Sequence, residues 1–158
     1  AGISTMKRKD KLRWYRKEFE SISDKISNSD NLSYLDFLRI RNFKLQNSTT
    51  ECAEHIHEIT KKAFLLAKED KIKEAVSCLV ELEGVAIPIA STILAMKYPD
   101  RFSIIDSRVI KKLGRSEWLR DYLKKPEIYE DYLILLRSIA KKENKLLRDV
   151  ERAMFEQD

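Results

Sequence analysis

Asp106 is the residue whose type and setting best suit chemistry. It stands between an apolar pair, Ile104-Ile105, and the segment Ser107-Arg108-Val109, which opens a helical pattern. Aspartate is a favoured helix N-cap, here accepting from the N–H of Arg108 or Val109. A carboxylate at a helix N-terminus stays ionised and fixed in direction. Such a group can stabilise a positive charge that develops nearby and can orient an attacking water. On position alone capping is the better explanation of the residue, and the two roles are compatible.

The second candidate is the turn Gly84-Val85-Ala86-Ile87. Gly84 is one of only three glycines in 158 residues. A chain so poor in glycine is expected to keep one where the backbone needs a positive φ or a close approach. Pro88 suits the first turn of the following helix, where its missing N–H costs nothing. The free N–H groups at such a place can grip phosphate without reading sequence. Ser91 adds a hydroxyl if it faces outward; otherwise it packs. The alternative for the whole segment is a tight helix–helix turn with no partner. Arg108, Lys111, Lys112 and Arg115 follow Asp106 and are candidates for phosphate contact or for a solvated face.

The elements that position these residues are helical. Leu12, Tyr15, Phe19, Ile22 and Ile26 step by three and four, predicting a helix over 8–27. Ser33 and Asp36 read as a capping box opening a helix to about Leu45, and Ser48 with Glu51 as another, for a helix to about Glu69. Ile72, Ala75, Val76, Leu79 and Leu82 feed Gly84. The stretch from Pro88 to about Met96 is apolar almost all round, which predicts a buried central helix. Asp106 opens a short helix over 106–113, stopped by Gly114. Helices near 116–124, 127–142 and 144–156 follow, and Phe102–Ile105 reads as an extended loop rather than a strand. The expectation is an all-α, single compact domain of eight or nine helices.

The segments Leu82-Glu83-Gly84-Val85-Ala86 and Ile104-Ile105-Asp106-Ser107-Arg108-Val109, 22 residues apart from Gly84 to Asp106, resemble the helix-hairpin-helix DNA glycosylase superfamily. That superfamily includes endonuclease III and the adenine-mismatch and alkylbase glycosylases. The resemblance covers about 30 residues and places a helix-hairpin-helix motif over 71–97. It implies a monofunctional DNA N-glycosylase that flips a damaged or mismatched base from the duplex, with Asp106 catalytic and the hairpin on one strand's phosphates. Two positions depart from the family pattern. Ala86 stands where a second hairpin glycine is usual, and Pro88 where bifunctional members carry an imine-forming lysine. The resemblance also puts the gap-filling or pocket side chain within 39–46, with Asn42, Phe43 and Gln46 as candidates. Trp14 and Tyr15 are available to stack on a base or to pack in the core.

Composition limits the rest. The net charge is +5 and 36% of residues are charged, compatible with a nucleic-acid partner bound through its phosphates. Seven cations crowd residues 7–17 against the single acid Asp10. No apolar run reaches membrane-spanning length, and the first residues hold no apolar signal core. Cys52 and Cys78 lie on apolar helix faces and are expected to be buried free thiols, as in a reducing cytoplasm. His55 and His57, two apart, do not share a helix face and read as surface residues. No metal or cofactor is expected, and the chain is expected to be a monomer on double-stranded DNA. Two rivals stand beside the glycosylase reading: a non-catalytic helix-hairpin-helix DNA-binding module, and a helical protein-interaction domain.

Overall fold

The three-and-four spacing of apolar residues from Leu12 to Ile26 forms α1 (Arg8–Ile26), with Phe19, Ile22 and Ile26 buried. The computed structural model describes residues 5–46 and 49–157, and among them there is no strand. The helices that follow are α2 (Tyr34–Phe43), α3 (Ala53–Lys68), α4 (Ile72–Leu79), α5 (Ile87–Lys97), α6 (Ser107–Lys112), α7 (Pro126–Glu143) and α8 (Leu147–Glu156). A 3-10 turn at Ser116–Arg120 separates α6 from α7, so the helix expected over 116–124 is shorter and differently wound. The buried apolar side chains form one cluster, in which each large one contributes roughly 1.5–3 kcal/mol.

Local chemistry sets most of the boundaries. Ser33 caps α2, its hydroxyl accepting from the N–H of Asp36 at 3.0 Å. The box expected to open α3 rests in part on Ser48. Ser48 lies outside the described residues, the helix begins after Cys52, and the Glu51 carboxylate bonds elsewhere. Cys52 is exposed at that N-cap rather than buried on an apolar face, whereas Cys78 is buried as expected. α6 ends before Gly114, whose φ is +72°, and α7 ends at Asn144 in the left-handed region with φ 52°.

α5 is the centre of the molecule. Every residue in it except Pro88 is buried, and it packs against α1, α2, α3, α4 and α7. Its last residue, Lys97, is charged yet only 8% exposed. The ammonium donates to the carbonyls of Ile26 at 3.0 Å and Ser27 at 2.8 Å, and to that of Ser29. It thus caps the C-terminal end of α1, where a helix carries orphan carbonyls and partial negative charge. At its other end α1 meets α8: Arg16 pairs with the Glu156 carboxylate, with Nε to Oε2 at 2.8 Å, and Arg8 donates to the Glu156 carbonyl at 2.8 Å. No helix among the described residues is long and apolar enough to cross a membrane.

Candidate active-site cavity

Asp106 caps α6 as its sequence context predicts. Its Oδ1 accepts the N–H of Arg108 at 2.8 Å, and its own backbone is extended. The segment leading to it is fixed by side chains from three helices. Tyr129 donates to the Ser103 carbonyl and Tyr132 to the Ile104 carbonyl, each at 2.8 Å. The N–H of Ile105 donates to the Ser91 hydroxyl at 3.0 Å. Glu151 accepts from the Ser103 hydroxyl at 3.4 Å and from the Ile104 N–H. Buried backbone groups outside regular structure must find such partners, and here the partners also fix the direction of the carboxylate that follows.

That carboxylate opens onto a cavity of about 660 Å³. The volume lies in the range of small-molecule sites. Tyr15, Phe43 and Phe155 supply aromatic wall, and Leu12, Leu45 and Ile104 aliphatic wall. The lining cations are Arg8, Lys11, Arg16, Lys44, Arg108, Arg148 and Arg152, seven against the three carboxylates Asp106, Glu151 and Glu156. The cavity therefore favours an anionic ligand with a flat or apolar part. Burial pushes the Glu151 carboxyl up from its usual range, and the neighbouring Arg148, at 3.2 Å, only partly offsets that. Burial likewise pushes the Lys44 ammonium down, against the attraction of Asp106 and Glu151. The Tyr15 hydroxyl is pushed up by burial. Arg148 lies 3.5 Å over the Phe19 ring and Arg108 4.5 Å over the Phe155 ring, so both guanidinium planes are held by aromatic faces.

The turn between α4 and α5 is built as the glycine suggests. Gly84 has φ +77°, and a Cβ placed on it would stand 3.1 Å from the Arg41 guanidinium. The positive φ and the close approach both occur. Arg41 donates to the Gly84 carbonyl at 2.9 Å. Of the turn's N–H groups, that of Glu83 donates to the Glu51 carboxylate at 2.8 Å, that of Val85 to the Leu82 carbonyl at 3.1 Å, and that of Ile87 to the Leu123 carbonyl at 3.5 Å. Val85 and Ile87 are buried, so of the four residues expected to grip phosphate, Gly84 and Ala86 are the exposed ones. The Ile87–Leu123 contact also brings exposed Lys124 and Lys125 to this side of α5.

The other predicted residues divide clearly. Ser91 does not face outward: it is fully buried, and its hydroxyl donates to the Pro88 carbonyl at 2.8 Å while accepting from Ile105. It supports Asp106 instead of meeting a phosphate. Phe43 is 6% exposed, stacked on Trp14 at 6.1 Å and edge-on to Tyr15 at 5.2 Å. It is cavity wall, not a free gap-filling side chain. Asn42 and Gln46 are exposed and outside the cavity lining. Arg108, Lys111 and Lys112 are exposed on α6. His57 is exposed as expected, while His55 is half-buried, its Nδ1 2.7 Å from Glu51.

Sequence reasoning missed Lys44, Leu45, Arg148, Glu151 and Arg152. The last three lie at i, i+3 and i+4 on α8, a spacing that normally marks a solvated charged face. Here that face turns inward, and the Nε atoms of Arg148 and Arg152 are buried without a hydrogen-bond partner. Leu45 is 56% exposed at the cavity, at φ 61°, a conformation rare for a bulky residue. No sequence signal marks it. Among the described residues no cluster of His, Cys, Asp and Glu is arranged to hold a metal ion. Compared with protein-family models, curated proteins and solved structures, the chain matches none.

Proposed function

We propose that this protein binds duplex DNA and releases a base from a nucleotide turned out of the stack, by hydrolysis of the N-glycosidic bond. One observation carries the reading: the N-cap carboxylate of Asp106 opens into a cavity walled by aromatic rings and lined with excess positive charge. The flipped base lies against Tyr15 and Phe43, and the cations neutralise the adjoining phosphates. As the glycosidic bond stretches, positive charge grows on the sugar and Asp106 stabilises it without having to reorient. Water attacks the anomeric carbon and the base leaves, and the spacing of Gly84 and Asp106, with its resemblance to the glycosylases, agrees with this assignment. The exposed residues Gly84 and Ala86 hold one strand.

The test is a panel of duplexes, each with one modified or mismatched base, assayed under single turnover for abasic sites. Asp106→Asn keeps a side chain that caps as well as aspartate, so stability should change by roughly 1 kcal/mol or less. Base release should fall ~10²–10³-fold. DNA affinity should hold or tighten slightly, because a carboxylate that repels phosphate is gone. Release unaffected by Asp106→Asn would remove this residue from the chemistry. Salt-sensitive duplex binding with no release from any substrate would favour a DNA-binding module.

A further inference from the structure

The outer face of α1 has no assigned task in this scheme, and its charge works against its own helix. Lys9, Arg13 and Lys17 recur every fourth residue, a spacing that gathers them, with Arg16, on one face. All three are exposed, while the opposite face of α1 packs Phe19, Ile22 and Ile26 into the core. A solvated helix face ordinarily interleaves both signs. Here Arg13 has one acid near it, Asp10 at 3.9 Å, and Arg16 pairs with Glu156. Glu20, further along α1, lies 3.8 Å from Arg152. Lys9 and Lys17 pair with no acid among the described residues. Like charges four apart repel, and cations in the first turns meet the positive end of the helix dipole. The N-cap, Lys7, makes no side-chain bond that would offset this. The arrangement lowers the helix's own stability, so folding does not account for it.

We propose that this face of α1 is a second phosphate-binding surface, which takes the backbone of the duplex flanking the nucleotide held in the cavity. The inference rests on the duplex reading above. The face adjoins the cavity directly. A groove of about 580 Å³ between α1 and the end of α8 is lined by Arg8, Lys9, Leu12, Arg13, Arg16 and Glu156. Four of these, Arg8, Leu12, Arg16 and Glu156, also line the cavity. A strand leaving the cavity past Arg8 and Arg16 passes onto Lys9, Arg13 and Lys17. From Lys9 to Lys17 the helix rises about 12 Å, roughly three base-pair steps of a duplex. The contact is with phosphate, so it carries no sequence preference. An anionic membrane is the poorer match. A helix that lies on lipid buries an apolar face in it, and the apolar face of α1 is already in the core.

The experiment compares the whole wild-type chain with a triple variant, Lys9→Gln with Arg13→Gln and Lys17→Gln. A control loses the same charge elsewhere, by Lys62→Gln with Lys68→Gln and Lys73→Gln, three exposed lysines that line neither the cavity nor the α1 groove. The probe is a fluorescein-labelled duplex with one mismatched base and long flanks, read by anisotropy over a salt series. The α1 variant should bind at least tenfold more weakly at low salt, with the slope of log K against log salt shallower by about two to three. Its melting temperature should equal or exceed that of wild type, because the repulsion is gone. The control should keep the affinity and slope of wild type. Trimming the duplex on one side of the mismatch should weaken wild type as the substitutions do, and should weaken the α1 variant no further. An unchanged slope in the α1 variant overturns the inference while duplex binding by wild type stands. Equal weakening of the control also overturns it, since net charge and not this face would then be responsible. If the α1 variant keeps duplex binding but loses binding to phosphatidylserine-containing vesicles, the face belongs to lipid and the inference fails. Wild type that binds no duplex at any salt sinks the DNA reading and the inference with it.

Discussion

Arg41 donates to the carbonyl of Gly84 at 2.9 Å, and two residues later Phe43 enters the wall of the cavity that Asp106 faces. The end of α2 thus holds the turn between α4 and α5 with one side chain and the cavity with the next ones. A disturbance at Gly84 is therefore expected to reach both places.

Gly84→Ala tests that link. The added methyl meets the Arg41 guanidinium at 3.1 Å, and a non-glycine residue at φ +77° costs about 1–2 kcal/mol. For a chain of this length the melting temperature should fall by roughly 2–8 °C. Duplex affinity should fall with it, as measured by fluorescence anisotropy. An unchanged melting temperature would show that the turn relaxes freely.

Ser91→Ala leaves the Ile105 N–H buried without its acceptor, which costs about 1–3 kcal/mol. The side-chain volume barely changes, so the core should stay intact by circular dichroism. The segment before Asp106 loses one of its anchors, so base release should drop by more than the melting temperature alone explains. A drop in stability with full release would make Ser91 purely structural.

Glu51 provides the pH test. The N–H of Glu83 and then His55 hold its carboxyl below the usual carboxylate range. A group whose folded value is depressed stabilises above its unfolded value, and the stability is lost as pH falls through the folded one. Glu51→Gln should therefore melt lower than wild type at pH 7, and the gap should close as pH drops below about 4. At neutral pH and low salt the same variant should bind duplex more tightly, since an anion leaves the turn. A pH-independent gap would mean that Glu51 acts by packing.

Duplex binding should be chiefly electrostatic. Neutralising about four to six phosphates should give log K against log salt a slope around −4 to −5. Affinity that is flat between low and moderate salt would favour the protein-interaction reading. A cavity-side contribution would appear as a shallower slope in Arg108→Gln, whose guanidinium lies over Phe155 at the cavity.

The helices were legible because apolar spacing reports burial directly. Ile22, Ile56, Val76 and Leu133 each fall where a 3.6-residue period faces one core, and the all-round apolar stretch after Pro88 becomes the buried α5. Asp106 was legible because a capping position needs only a few neighbouring residues to define it. What stayed hidden depends on distant partners. The direction in which Ser91 points is decided by Ile105, and the fate of the Glu51 carboxylate by Glu83. The charged face of α8 gave no sign that Phe19 and Ser103 would cover it. Lys44 reads as an ordinary surface lysine until α6 and α8 close around it.

The pairing of Arg16 with Glu156 spans 140 positions, and the cavity walls come largely from residues 6–16 and 148–156. A domain folds as a unit, and α8 buries Leu147 and Val150 in the common core. Without α8 the segment that carries Asp106 would lack Arg148, Glu151 and Arg152, and so would have neither the closed wall nor the full charge. Closing the core and closing the cavity are therefore one event.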